Sequence, residues 1–187
     1  MTEAREYSNK IKQVANKLLK ETNLVNLLEQ FGEVILGGSY SYDLMVDRDL
    51  DFGLAVSSIT PEMRAEIVKT FAKQSWAYKV KIVDRVNFKP LSHLEAPRGL
   101  FLGLTIPFPD ERWNIDVWFM VAEHVGKDPL AKRMESATEE QKDVMLDIKY
   151  ALMKSGQKEK GTTSAEIYKA VLDKGVLSTE EFVQLST

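Results

Sequence analysis

Apolar positions recur at intervals of three and four through the first thirty residues: Ile11, Val14, Ala15, Leu18 and Leu19, then Leu24, Leu27, Leu28 and Phe31. That spacing predicts one or two amphipathic helices stopping at Gly32. The period then changes. Val34-Ile35-Leu36 makes a short buried strand that runs into Gly37-Gly38-Ser39. Residues 48–56 alternate, with Leu50, Phe52, Leu54 and Val56 on one face and Asp49, Asp51, Gly53 and Ala55 on the other. Thr60-Pro61 offers an N-cap hydroxyl and a proline at the first helical position, so a helix is expected to about Trp76. Residues 77–86 alternate again as a third strand. Lys89 to Gly99, with two prolines and a glycine, is expected to be a loop. FLGLTIPF and RWNIDVWFMV then flank Pro109-Asp110-Glu111 as a hairpin.

After about residue 125 the pattern is helical only. Thr138 with Gln141, Thr163 with Glu166 and Ser178 with Glu181 have capping-box spacing, and Gly175 is a helix stop. The fold class expected is therefore α+β: a domain over residues 1–125 with a mixed sheet and flanking helices, followed by a C-terminal helical segment over 126–187. Residues 154–162, KSGQKEKGT, are the expected flexible boundary.

Composition narrows the chemistry. With 44% hydrophobic and 28% charged residues the chain is globular, and 187 residues suffice for a core without a staple. There is no cysteine, which excludes disulfides, thiolate metal sites and a Cys nucleophile. The two histidines, His93 and His124, are too few for a His-ligated metal and are expected to have no role. A net charge of −3 argues against bulk nucleic-acid binding. The N-terminus is polar and no apolar run approaches the ~18–20 residues that span a bilayer, so a cytoplasmic protein without a membrane partner is expected.

Three places carry candidate chemistry. Gly37-Gly38-Ser39 lies at the end of a buried strand, where glycine admits close backbone approach and the serine hydroxyl can donate to a phosphate oxygen; it is also an ordinary turn composition. Asp49 and Asp51 share a strand face at roughly 6.5–7 Å, close enough to converge on a divalent cation, although exposed acids on a half-buried strand are also ordinary. An EF-hand reading fails because its glycine and its twelfth-position glutamate are missing. Asp116 lies within the most apolar strand, flanked by Ile115 and Val117, where a carboxylate needs a cation, a hydrogen bond or an ion pair such as Arg48 or Arg112. If the strands neighbour one another, the three acids form one oxygen cluster suited to Mg²⁺.

In this order, Leu36-Gly37-Gly38-Ser39, nine residues, Asp49-Leu50-Asp51-Phe52 and a later strand bearing Asp116, the chain resembles the DNA polymerase beta-type nucleotidyltransferase superfamily. The resemblance covers residues 30–120, and the helical C-terminal part looks most like the minimal, aminoglycoside- or lincosamide-type members. It implies a nucleotidyltransferase-type mixed sheet in which Gly37, Gly38 and Ser39 hold the nucleotide phosphates. Asp49, Asp51 and Asp116 would be catalytic residues and ligands of a two-metal Mg²⁺ site, Asp116 serving the catalytic metal or taking the acceptor's proton. The implied reaction moves NMP, with AMP from ATP expected, from an NTP to a hydroxyl and releases pyrophosphate. A small-molecule acceptor is favoured; modification of tRNA or protein, or a non-catalytic binding module, are the alternatives. Family members often carry an arginine after the Gly-Ser turn, where this chain has Tyr40-Ser41-Tyr42. Lys79 and Lys81 share one strand face and can contact phosphate or simply be solvated; Tyr40, Tyr42 and Trp118 can stack on a ring or simply pack.

Overall fold

Five strands form one mixed sheet in the order β1-β2-β5-β4-β3, where β1 is Glu33–Gly37, β2 Asp49–Val56, β3 Lys79–Asp84, β4 Leu100–Pro107 and β5 Arg112–Val121. The computed structural model describes residues 2–87, 98–121, 129–156 and 161–185. His93 and His124 lie outside the described residues, as does most of the expected 89–99 loop. β4 and β5 pair antiparallel as the expected hairpin, and β1 and β3 pair antiparallel with β2 and β4. The central pair is different: β2 and β5 run parallel.

The chain divides into two compact units. One holds residues 15–38 and 48–127, the other residues 1–14, 39–47 and 128–187. The expected division near residue 125 falls within 122–128, outside the described residues; segments 1–14 and 39–47 group with the C-terminal helices.

The sheet unit owes its core to strand alternation. Leu50, Phe52, Leu54 and Val56 of β2, Trp113, Ile115, Val117 and Phe119 of β5, and Leu100, Leu102, Leu104 and Ile106 of β4 are all buried. Helix α1 (Glu3–Thr22) contributes Ala15 and Leu18, α2 (Leu24–Glu29) contributes Leu24 and Leu28, and α4 (Pro61–Ala72) contributes Ile67 and Phe71 to the buried set. Phe31, just past α2, links the layers: its ring lies 6.1 Å edge-on from Phe119 and 6.4 Å from Phe71. Thr60 caps α4 as expected, accepting from Met63 N–H. The helix ends at Ala72, four residues before Trp76, because the Gln74 side chain takes the Thr70 carbonyl and the backbone tightens onto Phe71.

The helical unit has its own core, built on α5 (Pro129–Glu135), α6 (Glu139–Lys154), α7 (Ser164–Lys174) and α8 (Thr179–Leu185), with Met134, Met145, Ile148, Leu152, Ile167, Val171 and Phe182 buried. Two capping boxes form in full, Thr138–Gln141 and Thr163–Glu166. The third is half a box: Glu181 N–H donates to Ser178 Oγ, but the Glu181 carboxylate accepts from Leu177 N–H instead. Gly175 ends α7 with φ +64°, a conformation that disfavours side chains. Of the expected flexible boundary at 154–162, residues 157–160 lie outside the described residues; α6 and α7 on either side share one core.

The helix expected to open near Tyr40 is a single turn, α3 (Gly38–Ser41). It is closed by Leu44 N–H donating to Ser39 O (2.9 Å) and by Asp43 in the left-handed region at φ +60°. Arg5 Nη1 donates to Asp43 O (2.7 Å), and Lys12 pairs with the Asp43 carboxylate. Lys149 of α6, wholly buried, donates to Leu44 O (2.6 Å) and Tyr168 Oη (3.1 Å). Burying an ammonium is costly unless hydrogen-bonded, so this lysine fixes the 39–47 turn against its own helices.

Two substitutions rank these contributions. Phe119→Ala should cost about 3–5 kcal/mol, the usual price of emptying a fully buried aromatic site, while Thr163→Ala should cost about 1 kcal/mol through the lost cap. Denaturant unfolding of both variants checks the order.

Candidate active site on the open face of the sheet

Alternation that buries one face of the sheet exposes the other. Pairing aligns the open face in rows. One row carries Lys79, Thr105, Asn114 and Asp49; the next carries Lys81, Gly103, Asp116, Asp51 and Gly37; a third carries Val83, Phe101, Trp118, Gly53 and Ile35. Asp51 and Asp116 are therefore direct neighbours on parallel strands, about 4.8 Å apart at the backbone. Asp49 stands one alternation along β2, on the same face.

Asp116 is exposed, not sealed in the core: Ile115 and Val117 point to the opposite side. The acid needs no structural ion pair, and Arg48 is engaged by Glu111 at 3.2 Å instead. Partial desolvation over the sheet raises the Asp116 pKa above the usual carboxylate range; the Asp49 charge raises it further, and Lys81 pulls it back.

The Gly37-Gly38 turn is built against this acid pair. Gly37 pairs with Asp51, and Gly38 follows at φ +62°. A Cβ on Gly38 would fall 2.0 Å from Asp51 Oδ2, so only glycine fits. A Cβ on Gly37 would meet nothing nearer than 3.9 Å. Ser39 belongs to the other unit; it is buried, and its Oγ has no hydrogen-bond partner among the described residues. A buried hydroxyl without a partner is unusual and suits a ligand oxygen.

The oxygen donors Asp49, Asp51 and Asp116 match a hard divalent cation in chemistry and share a face. Among the described residues, however, no three acid or imidazole groups are gathered into a cage that could hold a metal ion. Of the aromatic candidates, Trp118 packs 5.0 Å from Phe101 with the Arg85 guanidinium 5.6 Å above its ring, and Tyr42 packs edge-on against Tyr168. Lys12 lies 4.9 Å over Tyr40. Sequence reasoning offered Arg112 only as an ion-pair partner for Asp116 and missed Asn114 and Thr105 as neighbours of the acids. Their signal is their place in the two-residue alternation, Arg112, Asn114 and Asp116 being on one face of one strand.

No family model matches the chain, and no curated protein is significantly similar to it in sequence. Solved structures do match. The chain has a nucleotidyltransferase fold. A cytoplasmic RNA terminal U-transferase superposes with TM-score 0.58 at 15% identity, over 91% of this chain and 51% of that one. The Cid1 poly(U) polymerase with Mg and 3′-dATP bound gives 0.58 at 15%, over 91% and 54%. The non-canonical poly(A) polymerase of the GLD-2–GLD-3 complex gives 0.57 at 13%, over 91% and 58%. The chain thus spans little more than half the length of these structures. The aminoglycoside- or lincosamide-type likeness gains no support from them. No helix among the described residues is long and apolar enough to cross a membrane.

Two tests follow from the geometry. Gly38→Ala should lower stability by at least ~1–2 kcal/mol from the left-handed backbone alone, with the Asp51 contact adding to it, while Gly37→Ala should be near neutral; thermal melting compares them. Asp116 has a raised folded pKa, so the stability it supports is complete below its unfolded value near 3.8 and is lost as pH rises through the folded value. Asp116→Asn should therefore melt higher than the parent at neutral pH, with the gap closing below about pH 4. A variant that melts lower at neutral pH would mean the carboxylate is structural.

Proposed function

We propose that the chain is a divalent-cation-dependent nucleotidyltransferase that moves a nucleoside monophosphate from an NTP to a hydroxyl, with an RNA end as the acceptor. The observation that carries this reading is the register that puts Asp51 beside Asp116, with Asp49 on the same face and Gly38 against Asp51 Oδ2. The RNA acceptor replaces the small molecule expected from the sequence because the solved proteins sharing the fold are described as an RNA terminal U-transferase and as poly(A) and poly(U) polymerases.

In this reading Gly37, Gly38 and Ser39 take the triphosphate, the glycines by admitting it to the backbone and Ser39 through its hydroxyl. Asp49, Asp51 and Asp116 would hold Mg²⁺, which when bound makes the acceptor hydroxyl more acidic and neutralises the leaving pyrophosphate. The acceptor oxygen forms a bond to the α-phosphorus, the bond from that phosphorus to the β-phosphate bridge oxygen breaks, and pyrophosphate departs. Asp116 accepts the hydroxyl proton, a task that the upward shift of its carboxyl by partial burial favours. As like charges the three carboxylates repel one another, and a bound cation would offset that repulsion.

Incubation with Mg²⁺, labelled ATP and a short oligoribonucleotide should lengthen the oligonucleotide. Asp49→Asn, Asp51→Asn and Asp116→Asn should each cut the rate by at least about 10²-fold. Asp116→Asn should retain most Mg²⁺-ATP affinity, read as the melting shift, since it acts on the acceptor side. Undiminished transfer by any of the three variants, or none by the parent with any NTP and either acceptor class, would contradict the proposal.

A further inference from the structure

Beside Asp116, on the side away from the glycine turn, the open face holds a cleft of about 340 Å³ over β3, β4 and β5. Lys79 and Lys81 come from β3, Phe101, Gly103 and Thr105 from β4, and Arg112 and Asn114 from β5 beside Asp116. We propose that this cleft is the acceptor subsite and that it binds the phosphodiester next to the reacting hydroxyl of an oligonucleotide end, through Lys79, Lys81 and Arg112. The inference rests on the nucleotidyl-transfer reading above and adds where the acceptor enters and which groups select it.

Three features support it. The first is sidedness. Gly38 occupies the β1 side of the acids, against Asp51, whereas the cations stand on the β3 side, beyond Asp116. In the shared row Lys81 is two strand spacings from Asp116, about 10 Å at the backbone, which leaves room for one nucleotide-sized group between them. The second is the floor. Gly103 lies between Lys81 and Asp116, and the Phe101 ring leans over it so closely that a Cβ there would meet the ring at 3.0 Å. The cleft between cations and acid is therefore floored by the Phe101 ring lying over the Gly103 backbone. The third is charge: three cations against one carboxylate attract an anionic acceptor and repel a polycationic small molecule. Lysines on an edge strand commonly serve only to block strand addition. That purpose does not account for Arg112, which comes from an interior strand, nor for all three cations being without an ion pair among the described residues.

The test uses a fluorescent oligoriboadenylate and anisotropy, with Mg²⁺-ATP binding followed separately by melting shift. Lys79→Ala, Lys81→Ala and Arg112→Ala should each weaken oligonucleotide binding several-fold and reduce the slope of log affinity against log salt by about 0.7, the value for one phosphate contact on a single strand. Their Mg²⁺-ATP shifts should match the parent, and Lys73→Ala, at the exposed end of α4, should change neither. Equal loss of oligonucleotide and Mg²⁺-ATP binding would assign the cleft to the donor and overturn the proposal. Unchanged oligonucleotide binding in all three variants, with transfer intact, would overturn it while leaving the nucleotidyl-transfer reading standing. Failure of the parent to bind the oligonucleotide while it modifies a small hydroxyl compound would do the same; failure of both would remove the two readings together.

Discussion

The parallel pairing of β2 with β5 is the constraint on which the site depends. Because side chains alternate along each strand, fixing Asp51 opposite Asp116 also fixes Asp49, Asn114 and Arg112 on the same face and commits Leu50, Phe52, Ile115 and Val117 to the core. A slip of one residue in either strand would send an acid into the hydrophobic layer and an aliphatic side chain into solvent. The energy that holds the acids together is therefore not their own, since as like charges they repel. It is the burial of the opposite face, where each large apolar side chain contributes roughly 1.5–3 kcal/mol.

That arrangement explains why the glycine turn has so little freedom. β1 is tied to β2 through its pairing, and the chain must leave the sheet directly beside Asp51. Left-handed backbone at Gly38 achieves this without a Cβ in the space of the carboxylate. The acids thus have backbone on one flank and cations on the other, so that the face is graded in charge from β2 and β5 toward β3. A face of this kind can hold a negatively charged donor beside bound cations while admitting a second anionic group at its edge.

Much of this was legible in the chain. Strong alternation in 48–56 and 112–121, the capping residues Thr60, Thr138 and Thr163, and Gly175 as a stop all act locally, and each is found where the local chemistry puts it. What was not legible depends on long-range contacts. The hairpin spacing fixes β4 against β5, but nothing local places β2 beside β5. Asp116 looked like a costly acid within an apolar strand, whereas alternation puts it on the open side. The turn after Ser39 was expected to be a helix; it stops after one turn because Arg5, Lys12 and Lys149, distant in sequence, hold Asp43 and Leu44. Lys149 did leave a trace, since it lies at helical spacing between Met145 and Leu152 on the apolar stripe of α6.

The central claim is that three aspartates on one sheet face form a cation-dependent nucleotide site, and Mn²⁺ tests it most directly. A crystal of the protein grown with Mn²⁺ and a non-hydrolysable ATP analogue should show anomalous scattering within bonding distance of Asp49, Asp51 and Asp116, with the triphosphate beside Gly38. Manganese bound elsewhere, or a nucleotide seated with no metal at these carboxylates, would contradict the account.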